Sequence, residues 1–193
     1  SDARLSPSGR ASLMFTHAID DDLELELLHD GLAPELFSAV DGSRDHLRAW
    51  LPWVDDALQI LDSREFLRLS MAGWAEWRML RCGIRVHGEL CGSVSVEGID
   101  RRNDSGEVGY WLAASHTGSG VMTRSVGAIT RLAFDMLDLH RLTLRAAVDN
   151  QASWAIPERL GWTFEGVARD DAVLRGERLD MRVYSILRTQ WTR

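Results

Sequence analysis

The spacing of apolar residues changes period along this chain, and the changes divide it into predicted elements. "ASLMFTHAI" alternates weakly and reads as a first strand, and the acidic run "DDLELELL" after it reads as the lead into a turn or short helix. "PELFSAVDGSRDHLRAWLPWVDD" predicts two short helices, broken at Asp41-Gly42 and stopped by Pro52. Ser63 then caps a predicted helix, "REFLRLSMAGWAEWRML", in which Phe66, Leu67, Met71, Trp74 and Trp77 recur at helical spacing.

From Arg81 the repeat shortens to two. "RCGIRVHG" and "ELCGSVSVEGID" predict strands joined by a tight turn at His87-Gly88-Glu89, and "SGEVGYWLAA" supplies a third, with Asn103-Asp104 and Gly106 in the turn before it. Helical spacing returns from about Val121 to Leu137, where Ala128, Leu132 and Met136 form one row and Ile129, Ala133 and Leu137 its neighbour. "RLTLRAAV" is apolar enough for a strand inside a sheet. "QASWAIPERL" is a short helix after Asn150, ended by Gly161, and "TFEGVARDDAVL" and "ERLDMRVYSIL" form an antiparallel pair turned at Arg175-Gly176. This order predicts an α/β fold with a mixed sheet.

Composition narrows the function classes. At 193 residues, 45% hydrophobic, the chain suits one domain spanning 1–193. A formal charge of -7 argues against nonspecific nucleic-acid binding and favours cationic partners such as amines. All 22 basic residues are arginines. No apolar run approaches the roughly 20 residues that cross a bilayer, and "SDARLSPSGR" lacks a signal-peptide core, so the expected location is cytoplasmic, with no membrane partner. Cys82 and Cys91 lack metal spacing and read as buried free thiols; no metal site is expected.

The candidate chemistry lies in "SHTGSGVMTRS", a glycine-bearing turn between a strand and a helix. Helix N-terminal N–H groups lack intrahelical acceptors, and the dipole adds positive potential, so anions bind there. Gly118 and Gly120 permit positive φ and close approach of a phosphate, and Thr117, Ser119 and Thr123 add hydroxyls. A Walker loop needs a lysine, which this chain lacks, and the dinucleotide pattern needs a third glycine where Thr123 stands. By itself the turn fits a phosphate site and a merely flexible loop equally well.

Its surroundings are more specific. "GEVGYWLAASHTGSGVMT", "VDNQASWAIPERLGWTFEG" and the pattern Arg44, Leu47, Trp50, Leu51, Pro52, Trp53 together resemble the GNAT superfamily of N-acetyltransferases, in particular its ribosomal-protein serine/alanine N-acetyltransferase branch. Gly118 and Gly120 occupy the glycines of the family's Q/R-x-x-G-x-G/A signature, with Ser115 in place of glutamine or arginine. The resemblance spans nearly the whole chain. It implies a mixed central sheet splayed between its parallel strands and flanked by helices, with acetyl-CoA as cosubstrate. The backbone of Tyr110, Trp111 and Leu112 would pair with pantetheine, and the loop His116, Thr117, Gly118, Ser119, Gly120, Val121, Met122, Thr123 would hold the pyrophosphate. Arg124 would reach an adenosine phosphate or lie in solvent.

The resemblance also assigns chemistry. Asn150 would contact pantetheine, although any asparagine before a helix also serves as an N-cap. Ser153, which could equally face solvent, would protonate the departing thiolate; Pro157 leaves the Ser153 carbonyl without its helical donor. Glu107 is the candidate general base, directly or through water, or else a surface glutamate; Asp171 is a second candidate for that base, unless Ala172 holds its position and removes the role. Trp50 and Trp53 would wall the acceptor groove or simply pack over the sheet end. The implied reaction is direct attack of a neutral amine on the thioester, with backbone N–H groups stabilising the oxyanion. The acceptor is expected to be a protein N-terminal α-amine. A small-molecule amine and a larger acyl group such as succinyl remain open, as does a different class, a noncatalytic acyl-CoA-binding regulator. Trp74 and Trp77 offer a core or homodimer face.

Overall fold

In the computed structural model, which describes residues 16–192, the period-two stretches pair into one sheet. Its strands are β1 (Thr16–Ala18), β2 (Leu23–Leu27), β3 (Leu80–Val86), β4 (Glu89–Asp100), β5 (Ser105–Leu112), β6 (Arg141–Ala147), β7 (Thr163–Leu174) and β8 (Glu177–Leu187), in the order 1-2-3-4-5-6-8-7. Every neighbouring pair is antiparallel except β5 and β6. The helices are α1 (Ala33–Asp41), α2 (Arg44–Arg48), α3 (Ile60–Ala75), α4 (Val121–Asp135) and α5 (Gln151–Arg159).

Sheet alternation sorts the two faces. Val94, Val96 and Val108 join Val126, Ile129 and Ala133 of α4 in the main core, where all are nearly inaccessible. The intervening Ser93, Ser95 and Glu97 point to the opposite face, beneath α1 and α3. There Leu28, Leu32, Leu36, Leu67 and Leu90 form a second core, with Trp111 packed against it.

One local expectation is described only in part and two change. Residues 11–15 of the first predicted strand lie outside the described residues, leaving Thr16–Ala18. "LELEL" is strand β2, not a turn or short helix: Leu23 and Leu25 are buried while Glu24 and Glu26 alternate with them. The acidic residues disguised a period of two. Helix α3 starts before Ser63, because Gln59 and Asp62 form a reciprocal capping box. Its buried face is Ser63, Leu67, Ser70 and Gly73, whereas Met71 is exposed, and Trp77 lies beyond the helix at φ 55°. Small residues turn inward there because Met79 occupies the space beside Gly73, where an added Cβ would come within 2.6 Å of it.

Cys82 and Cys91 are free and buried, and burial pushes their thiols up to about 12 and about 11. Such thiols are poor nucleophiles.

Candidate active site

Strands β5 and β6 pair only through Ser105↔Arg141, Gly106↔Leu142 and Glu107↔Thr143, although β5 runs on to Leu112 and β6 to Ala147. The sheet therefore splits beyond Glu107. The Ala113 N–H donates to the Cys91 carbonyl at 2.7 Å, which fixes the alternation along β5. By that alternation the backbone groups of Val108, Tyr110 and Leu112 turn to the open side, and those of Trp111 turn to β4. A strand-like ligand arm entering the split would find these free donors and acceptors.

The split leads to the glycine turn. Gly118 and Gly120 have φ of 76° and 77°, and a Cβ added at either would meet nothing within 4 Å among the described residues. No side chain among the described residues caps α4, and its first helical bond runs from the Arg124 N–H to the Gly120 carbonyl at 3.1 Å. The N–H groups of Val121, Met122 and Thr123 consequently have no helical acceptor. The turn is held by its own side chains: Thr117 Oγ1 donates to the Ala114 carbonyl and Ser119 Oγ to the His116 carbonyl, each at 2.9 Å. These two hydroxyls thus stiffen the loop. The N–H groups of His116 and Thr117 are likewise bonded, to the Ala113 and Ala114 carbonyls, so the open cradle begins at Gly118. Arg124 pairs with Asp20, and Arg159 Nη1 donates to Thr123 Oγ1 at 3.1 Å, which brings a cation to the helix entrance. An open cradle, an uncapped helix and a neighbouring guanidinium fit a pyrophosphate.

At the mouth of the split, Asn150 Oδ1 accepts from the Ser153 N–H at 3.2 Å, the N-cap role its position before α5 predicts. The Tyr110 hydroxyl donates to the Ser153 carbonyl at 3.0 Å and lies 3.1 Å from Ser153 Oγ. Sequence reasoning placed Tyr110 in the site for its backbone alone. The orphaned carbonyl opposite Pro157 was the available signal that a donor had to come from elsewhere.

On the α1 and α3 face lies a cavity of about 940 Å³, lined among others by Trp53, Phe66, Ser93, Ser95, Glu97, Glu107 and Tyr110. Trp53 and Trp111 meet edge to face there, with ring centroids 6.1 Å apart, while Trp50 is not among the lining residues. Glu97 and Glu107 stand directly opposite each other on the cavity floor. Burial works against ionisation of Glu97, but Arg81, bidentate at 2.9 and 3.0 Å, and Ser95 Oγ at 3.0 Å hold its carboxyl below the usual range. Glu107 goes the other way: burial raises it, Arg145 at 3.5 Å partly offsets that, and Asp171 and Glu97 add to the rise. Two carboxylates with pKa values pushed apart are what acid–base chemistry needs. Asp171 does not line the cavity; it pairs with Arg145 at 2.9 Å, behind Glu107. The Arg81–Glu97–Ser95 group was not anticipated, although the alternation in "GSVSVEG" set those polar residues on one face.

Arg175, at the tip of the β7–β8 turn, donates to the Arg48 carbonyl and lies 3.3 Å from Asp55, which Arg48 also holds at 2.6 Å. The tip is thereby strapped to the segment whose Leu51, Trp53 and Asp56 wall the cavity.

The acetyltransferase (GNAT) domain family matches residues 22–163. YdaF of Bacillus subtilis (strain 168), named as a candidate ribosomal N-acetyltransferase, is 31% identical over 92% of this chain and 98% of its own length. Among solved structures, the microcin C7 self-immunity acetyltransferase MccE, in complex with acetyl-CoA and AMP, is similar with a TM-score of 0.86 and 27% identity, covering 96% of this chain and 99% of that one. RimL, a ribosomal L7/L12 α-N-protein acetyltransferase in complex with coenzyme A, has a TM-score of 0.86 and 25% identity, covering 89% and 97% respectively.

Proposed function

This chain belongs to the GNAT acetyltransferase family and is an acetyl-CoA-dependent N-acetyltransferase, and we propose that its acceptor is the N-terminal α-amine of a protein. The observation that carries this reading is the junction of the β5–β6 split with the acidic cavity, at Glu107. Acetyl-CoA supplies the acetyl group as an activated thioester. The chain supplies the rest: the Gly118–Gly120 turn and the α4 N-terminus bind the pyrophosphate, and the open backbone of Tyr110 and Leu112 orients the arm. Glu107 takes the proton of the incoming ammonium, directly or through water, and Ser153 gives one on the leaving-group side.

The strength of the available base favours an α-amine. An α-amino group, with a pKa of about 7.7–8.0, is roughly a tenth neutral at pH 7, so its deprotonation costs about 1.2 kcal/mol there. An alkyl ammonium with a pKa of about 10.4 costs roughly 4.6 kcal/mol. A carboxylate base such as Glu107, raised by burial, suits the smaller demand. The names of YdaF and RimL, both tied to ribosomal acetylation, support the same acceptor class.

A small-molecule amine is the second reading, supported by the Arg175 strap, which fixes the hairpin tip to the segment that walls the cavity. The test is acetyl transfer to short peptides with free N-terminal serine or alanine, N-blocked peptides carrying one lysine, and small diamines, read by mass spectrometry. Acetylation at the free N-terminus supports the proposal, and acetylation confined to lysine or diamines overturns it.

A further inference from the structure

Tyr110 and Ser153 are joined by a contact that the backbone makes necessary. In an α-helix the carbonyl of residue i accepts from the N–H of residue i+4, and for Ser153 that residue is Pro157, which has none. A half-buried carbonyl without a donor costs free energy, and the Tyr110 hydroxyl fills the vacancy from across the split. The same hydroxyl lies within hydrogen-bond distance of Ser153 Oγ. A phenol carries one proton, so its two acceptors compete. While the proton lies on the carbonyl, the phenolic oxygen can only accept, and it draws the Ser153 proton toward itself. When it lies on Oγ, the Ser153 proton is released to point elsewhere.

We propose that Tyr110 is a positioning residue, whose single hydroxyl proton, shared between the Ser153 carbonyl and Oγ, sets the direction in which Ser153 donates. The proposal rests on the reading of Ser153 as the donor to the leaving sulfur. Burial pushes the phenol well above its ordinary range, so Tyr110 keeps its proton throughout and takes part through hydrogen bonds alone. No proton leaves it, and the serine hydroxyl remains the group that meets the sulfur. Pro157 is then a working part of the site, because an ordinary residue there would satisfy the carbonyl and remove the reason for the Tyr110 contact.

Pro157 also makes the proposal separable from a purely structural role. Tyr110→Phe strands the Ser153 carbonyl, and adding Pro157→Ala returns a helical N–H to it. Thermal stability should fall in Tyr110→Phe and recover in the double variant. Serine donation is read without any acceptor, by calorimetric comparison of coenzyme A with desulfo-coenzyme A. A single hydrogen bond to sulfur should give the unsubstituted protein a preference for coenzyme A of about fivefold. That preference should be lost in Ser153→Ala, reduced in Tyr110→Phe, and still reduced in the double variant although its stability has recovered. Recovery of the preference along with stability would show that Tyr110 merely satisfies the carbonyl, and would overturn the proposal while leaving the Ser153 reading intact. A preference that is absent from the unsubstituted protein, or that survives Ser153→Ala, would remove the Ser153 reading and the proposal with it.

Discussion

Replacing Arg81 with methionine tests the electrostatics of the cavity floor. Arg81 is 15% exposed and binds Glu97 through two nitrogens, donates to Ser70 Oγ at 3.2 Å, and stacks over Phe66 at 4.7 Å. Stranding one partner of a fully buried pair costs about 3–5 kcal/mol, whereas exposed pairs contribute roughly 0–1 kcal/mol. Glu97 is 42% exposed, so solvent screens much of its charge, and the expected cost is intermediate, about 2 kcal/mol. In a chain of this size that lowers Tm by roughly 4–8 °C. Methionine keeps the apolar contact with Phe66 and removes the charge. The sign of the pH dependence follows from Glu97, whose folded carboxyl is held below its ordinary value. Its contribution is fully present above the unfolded pKa of about 4.3 and is lost as pH falls through the lower folded value. Urea denaturation of both proteins between pH 3 and pH 7 should therefore show a deficit that is full at neutrality and shrinks to a third or less in acid. A deficit of equal size at both ends would refute the ion-pair account and point to lost packing. Arg81→Met should also move the acidic limb of the activity profile upward, because Glu97, freed of its cation, faces Glu107 directly.

Three further outcomes follow from the site. Glu107→Gln should lower kcat/KM about 10²- to 10⁴-fold and abolish its acidic limb; in the parent enzyme that limb should lie above the range of an ordinary glutamate, because Glu107 is raised by burial. Gly120→Ala should lose about 1 kcal/mol of stability through left-handed strain and much of its acetyl-CoA affinity, measured by calorimetry; Gly88→Ala, at φ 80° in the β3–β4 turn, should carry the same backbone cost and keep its affinity. Arg175→Ala should release the hairpin strap and lower KM for peptide acceptors by at most about fivefold, with little change for small amines; an equal change for both would mean that the strap does not control access.

What the sequence determined by itself was the part governed by local rules. Backbone φ and helix capping act over a few residues, so Gly118, Gly120, Asn150, Gly161 and the turn at Arg175-Gly176 were legible in the one-dimensional pattern. The alternation of β3 to β6 and the apolar face of α4 were legible because each follows from the period of a single element. Strand β2 was not, because its acidic residues hid a buried Leu23 and Leu25 that only pairing with β3 reveals. Pro157 announced an unfilled carbonyl, but which group fills it depended on β5 crossing beside α5, and those residues are 43 positions apart. The opposed behaviour of Glu97 and Glu107 likewise came from strand register and from Arg81 and Arg145, which lie on other strands. Electrostatic environment depends on distance in space, and only the folded chain sets those distances.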